Sequence, residues 1–113
     1  MNFDFSEDQR LLQKTARDYL EKAAPLALCR SVLESDLSYS RELWKGAAEM
    51  GWLGAVIPEA HGGAGFGHLE LALIAHELGR ALAPIPYSSS VYLATEALLR
   101  AGTEEQQAKL LPA

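Results

Sequence analysis

Cysteine is nearly missing from this chain: Cys29 is the only one in 113 residues. No internal disulfide can form, and the usage fits a reducing compartment. Clustered basic charge is missing too. The formal net charge is −5, Lys45, Lys109 and the arginines are scattered singly, and no lysine lies between Lys45 and Lys109. That excludes a nucleic-acid footprint, which needs grouped Lys and Arg. Long apolar runs are absent: the longest, Leu69 to Ala75, is broken by Glu70, far short of the roughly 20 residues that span a bilayer. The start, MNFDFSEDQR, has neither a basic n-region nor an apolar h-region, so no signal peptide is expected. A soluble, cytoplasmic protein with no membrane or nucleic-acid partner is the expectation.

What is present fits one globular domain. Apolar residues make up 49% and charged residues 22%, enough for a modest core. Ser6 with Gln9 in capping-box spacing, acids in the first turn and Leu11, Leu12, Thr15, Ala16, Tyr19 and Leu20 at helical spacing predict a helix over about residues 6–23. Its charged residues read as a solvated face. Pro25 ends it, and residues 25–38 allow either a short helix or a loop. Ser40 starts a second clear helix, to about residue 50, with Leu43, Trp44, Ala47 and Met50 apolar and Gly51 placed as a left-handed cap.

Trp52 to Ile57 is apolar, with nothing obvious to pair as a strand, so an extended buried connector is expected. Four glycines follow between Ala60 and Gly67. A dinucleotide fingerprint fails here, because Gly63-x-Gly65 meets His68 and Gly65-x-Gly67 meets Glu70 at the third glycine position. A P-loop lacks its lysine. A structural turn into a helix over about 67–83 remains, apolar nearly all round its first half and so central. Glu70, His76 and Glu77 lack the spacing of a metal site or a metalloprotease helix and read as polar residues satisfied at a helix edge. Pro84 and Pro86 force a corner. Ser88 to Ser90 offer N-caps for a helix over about 88–100, and Thr103 with Gln106 opens a last one over about 103–110. Five or six helices with mostly short loops imply an all-α bundle.

Several segments together resemble the amino-terminal helical domain of the acyl-CoA dehydrogenase family. They are Phe3 to Leu12, Leu43-Trp44 through Glu49-Met50-Gly51-Trp52, Pro58-Glu59, Gly62-Gly63-x-Gly65, Glu70 and Glu77-Leu78-Gly79-Arg80. Ala101 to Gln106 and Lys109-Leu110-Leu111-Pro112 complete the set, in the family's order, over essentially the whole chain. The resemblance implies a domain over residues 1–113 whose companions, a middle β-domain and a carboxy-terminal helical domain, are absent here. It implies FAD held mainly by those companions and a neighbouring subunit, with a glutamate removing the α-proton of an acyl-CoA thioester while a β-hydride passes to flavin N5.

By the same resemblance Ile85, Pro86, Ser89 and Leu93 form one wall of the acyl pocket. No catalytic base, cofactor-binding residue or metal ligand is expected in this chain, which alone should be inactive and hold no FAD. A homo-oligomer, or a partner subunit supplying the missing domains, is expected. The stretch Leu82 to Tyr87 departs from the short- and medium-chain pattern and looks more like divergent bacterial members, some acting on bulky thioesters or working as heteromers. The alternative is a free-standing helical interaction or oligomerisation module. The two differ in their surfaces: a docking domain exposes apolar groups, and a self-sufficient module seals them.

Overall fold

The structure, a computed structural model, describes residues 3–112. It is all-α among those residues, as the periodicity implies. The α-helices are α1 (Glu7–Ala23), α2 (Leu26–Leu33), α3 (Arg41–Glu49), α4 (His68–Arg80), α5 (Glu96–Ala101) and α6 (Glu104–Leu110). A short 3₁₀ turn covers Glu59–His61, and a π-helix, Ser88–Thr95, runs straight into α5. The predicted capping boxes at Ser6 and Thr103 are both closed, and the Ser40 hydroxyl accepts from the Leu43 N–H. The segment after Pro25 resolves as a helix, α2, that contributes no buried residue.

The core gathers Ala16 and Leu20 from α1, Leu43 and Ala47 from α3, Leu71, Ile74 and Leu78 from α4, and Trp52, Tyr87 and Val91 between them. Helices α1 and α4 run side by side in the same direction. Gln9 reaches Glu70 (3.3 Å), Gln13 reaches Glu77 (3.1 Å), and Arg80 lies 3.9 Å from Glu21. Ser40 N–H donates to the Pro84 carbonyl (2.9 Å), which ties the start of α3 to the proline corner.

One helix end lies well short of where the sequence predicts it. The helix expected to reach residue 83 stops at Arg80, because Leu82 adopts φ +51°. Ala83 N–H then bonds the Leu78 carbonyl (3.1 Å) and Leu82 N–H the Gly79 carbonyl (3.2 Å), a Schellman termination built on leucine instead of glycine. The same motif closes α3 with Gly51 at φ +81°, as its sequence predicts. A left-handed leucine costs about 1–2 kcal/mol, and Leu82 is largely exposed, so little burial opposes its replacement. Leu82→Gly should therefore raise stability by about 0.5–1 kcal/mol after the unfolded-state entropy of glycine is counted. A denaturant titration with an unchanged or lower midpoint would refute this.

The Trp52–Ile57 connector is buried as expected but not extended. It folds into successive turns, with Ala55 N–H on the Trp52 carbonyl and Ile57 N–H on the Gly54 carbonyl. The glycine-rich segment doubles back along it: Ala64 N–H reaches Gly54 O (2.9 Å), Gly65 N–H reaches Ile57 O (2.9 Å) and Phe66 N–H reaches Ala55 O (2.8 Å). The buried connector's polar backbone thus finds partners in the exposed glycine-rich segment, without a sheet.

The molecule is a slab of 41 × 40 × 19 Å with a radius of gyration of 14.9 Å. Its accessible surface is 7614 Å², whereas a compact monomer of this mass presents about 6,100 Å². Large apolar side chains share in that surplus, among them Leu26, Leu33, Phe66, Leu69, Leu93 and Leu110. No described helix is long and apolar enough to cross a membrane.

Candidate pocket wall and buried polar seam

The proline corner and the helix after it position the residues singled out from the sequence. Two tight backbone bonds, Ile85 N–H to Ala83 O and Tyr87 N–H to Ile85 O (both 2.9 Å), fold the chain from α4 into the π-helix. Tyr87 then plugs the core: its hydroxyl donates to the Trp52 carbonyl (2.7 Å), its ring meets Tyr92 edge-on, and burial pushes its phenol pKa well up. Ser88 to Ser90 do not cap this helix, contrary to the expectation from sequence. They lie inside it, with the Ser89 hydroxyl donating to the Pro86 carbonyl (3.2 Å).

Ile85 and Pro86 are half-buried at the corner, while Ser89 and Leu93 are exposed on the helix, Leu93 by 68%. The corner joins the pairs into one strip. Between Ser88 and Leu98 its only charged side chain is Glu96, which turns aside to His68 (3.3 Å) and Arg100 (2.8 Å). The Arg100 and then the His68 hydrogen bond hold the Glu96 carboxyl below its usual range. The strip offers apolar surface and hydroxyls, and no group that titrates near neutrality.

A separate groove of about 540 Å³ opens on the neighbouring side of the same helix, lined by Trp44, Leu53, His61, Ala94, Leu98 and Leu110 among others. None of Ile85, Pro86, Ser89 and Leu93 lines it. Among the described residues no group of three or more His, Cys, Asp or Glu side chains is placed to hold a metal. Gly67 donates its N–H to Glu70 at the start of α4, an internal bond that occupies the turn.

The seam between α1 and α4 holds a polar cluster that sequence reasoning missed. Glu77 is 1% exposed; Arg17 Nε donates to Oε2 (3.1 Å), Arg17 Nη2 to Oε1 (2.9 Å) and Gln13 Nε2 to Oε1 (3.1 Å). Arg17 foremost, helped by Gln13, holds the Glu77 carboxyl below its usual range against the opposing effect of burial. The sequence pattern puts Arg17, with the other charged residues of α1, on a solvated face, yet its guanidinium and the Gln13 amide both turn toward Glu77. Gln9, Gln13 and Arg17 at four-residue spacing, against acids seven apart in α4, are the pattern that marks the seam.

This chain matches the acyl-CoA dehydrogenase amino-terminal domain model over residues 6–113. Acyl-CoA dehydrogenase IpdE2 of Mycolicibacterium smegmatis is 40% identical over 101 residues, covering 88% of this chain and 32% of that protein. Mitochondrial isovaleryl-CoA dehydrogenase of Pongo abelii is 37% identical over 112 residues, covering 95% of this chain and 26% of its own length. Among solved structures, a variant of the Tcur3481-Tcur3483 steroid ACAD superposes with a TM-score of 0.84 at 37% identity, over 94% of this chain and 29% of that one. The chain therefore belongs to the acyl-CoA dehydrogenase family, through its amino-terminal domain. It spans about a third or less of the length of these relatives.

Proposed function

We propose that this domain forms one wall of the acyl pocket in an FAD-dependent acyl-CoA dehydrogenase, through Ile85, Pro86, Ser89 and Leu93. The observation that carries the reading is the strip itself: half-buried at the corner and exposed along the helix, apolar and hydroxyl-bearing, nearly free of charge, and set on a slab with surplus surface. An acyl chain needs apolar contact that excludes water, and a thioester α-proton becomes abstractable only in such an enclosure. The catalytic carboxylate and the flavin site come from other domains, of the same chain or of a partner subunit. The Tcur3481-Tcur3483 relative, named for two components, supports the second arrangement. FAD supplies the hydride acceptor; the residues here bind and orient the acyl chain and keep water from it. A cytoplasmic location accords with this chemistry.

The surplus surface weighs against a self-sufficient interaction module, which would seal its apolar groups. Two measurements test the proposal. Purified chain mixed with FAD and desalted should emerge colourless and reduce no electron-acceptor dye in the presence of acyl-CoA; a stoichiometric yellow complex would overturn the division of labour. In the assembled enzyme, Leu93→Trp should shift kcat/KM toward shorter acyl thioesters by about tenfold, the scale of a few methylenes in an apolar pocket. An unchanged chain-length profile would remove the strip from the pocket.

A further inference from the structure

The helix after the corner is wound wider than an α-helix over Ser88–Thr95, and that winding decides which side chains share a face. An α-helix turns about 100° per residue, so Ser89, Leu93 and Ala97 would spiral through about 80°. Ala94 would then lie about 40° from the buried line through Tyr87 and Val91, on the flank of the core. A π-helix turns about 82° per residue, at about 4.4 residues per turn. With that pitch to Thr95 and α pitch after it, Ser89, Leu93 and Ala97 stay within about 35° of one another, opposite the core. Ala94 swings to about 130° from the buried line. The observed burial follows the second pattern: Tyr87, Val91 and Thr95 are buried, and Ser89, Leu93, Ala94 and Ala97 are all exposed.

One side chain is placed to hold the wide turn. Thr95 is 9% exposed, and its hydroxyl donates to the carbonyl of Ser90, five residues back (2.8 Å). That is the partner separation of a π-helix, and it leaves no orphaned hydroxyl against the core. We infer that Thr95 is a positioning residue whose bond to the Ser90 carbonyl holds the π winding, and that this winding extends the acyl-facing strip beyond Ser89 and Leu93 to Ala97. The methyl side chain of Ala97 leaves space at the end of the strip, room for the bulk of a branched or ring-bearing acyl group. Ala94 stands where the strip meets the neighbouring groove, whose lining it joins. The assignment of acyl substrate rests on the function proposed above; the winding does not.

The experiment separates the two. In a Cys29→Ser background, Ala94→Cys is labelled with a maleimide under native conditions, alone and combined with Thr95→Val or Thr95→Ser. Position 94 should label rapidly in the parent and with Thr95→Ser. With Thr95→Val, which keeps the shape and loses the donor, the segment should relax toward α winding and labelling should slow by about fivefold or more. Equal rates in all three proteins would overturn the role of Thr95. Circular dichroism melts identify a variant that labels faster because it unfolds; amide exchange of residues 90–97 on the folded fraction then decides, and unchanged protection in Thr95→Val counts against the proposal. In the assembled enzyme, Ala97→Leu should depress kcat/KM for ring-bearing thioesters about tenfold relative to straight-chain ones. A shift with Leu93→Trp but none with Ala97→Leu would refute the extension while leaving the pocket wall in place.

Discussion

Gly63→Ala is expected to destabilise the domain by about 3 kcal/mol, the upper range for overpacking, because the obstacle is backbone and cannot rotate away. A Cβ built on Gly63 collides with the Ile57 carbonyl oxygen and lies 2.5 Å from both its carbonyl carbon and its Cβ. To make room the doubled-back segment must lift off the connector, and the bonds from Ala64 to Gly54, Gly65 to Ile57 and Phe66 to Ala55 would go with it. For a domain of this size each kcal/mol moves Tm by about 4–8 °C, so a loss of roughly 12 °C or more is expected. Gly62→Ala is the control. Gly62 sits at φ +85° with open space around it, so alanine there meets only the left-handed penalty of about 1–2 kcal/mol. If the two variants melt together, the close approach at Gly63 is not what holds this loop.

The second large effect is at Glu77. Glu77→Gln keeps the shape but turns an amide N–H₂ toward the donors of Arg17 or Gln13, at a cost of about 1.5–3 kcal/mol for hydrogen bonds to a charged group. The loss should depend on pH. The folded-state pKa of Glu77 is lowered from the ordinary value of 4.5, so the unfolded chain takes up its proton at a higher pH than the folded one. The carboxylate therefore contributes fully above about pH 4.5, and its share fades as pH falls through the lowered folded value. Chemical denaturation at neutral pH and at about pH 3 should show a wide gap between parent and Glu77→Gln narrowing in acid. A gap that stays constant would mean that the carboxylate charge contributes nothing beyond shape.

The helices themselves were legible because their signals are local. Ser6 with Gln9, Thr103 with Gln106, Ser40 before Arg41 and Gly51 after Met50 each act within one turn, and all four stand where the sequence places them. The family was legible for a related reason: its segments recur in order at fixed spacing along the chain. The strip was legible only as far as that resemblance carries it; Ser89 and Leu93 fall on the outward face under either winding.

The rest needed three dimensions. Whether Gln13 and Arg17 meet water or a buried carboxylate depends on α4 lying beside α1, and they are 64 and 60 residues from Glu77. Whether Trp52 to Ile57 extends or turns depends on Ala64, Gly65 and Phe66, whose N–H groups satisfy its backbone from the doubled-back segment. Leu82 takes a conformation that leucine avoids because Ala83 and the prolines must turn toward Ser40, a tertiary demand that outweighs local preference. The π winding of Ser88–Thr95 is of the same kind. No glycine or proline in SSSVYLAT marks the wider helix in the sequence; it answers to the fit of Tyr87, Val91 and Thr95 into one core, and the Thr95 bond to the Ser90 carbonyl holds it from within. Local pattern alone shows where the capped helices α1, α3 and α6 begin, which family the chain builds and which apolar residues are available to bury. Direction and partner were left to packing, because each is fixed by contacts between segments that only the folded chain brings together, and the winding joins such contacts to one bond within its own helix.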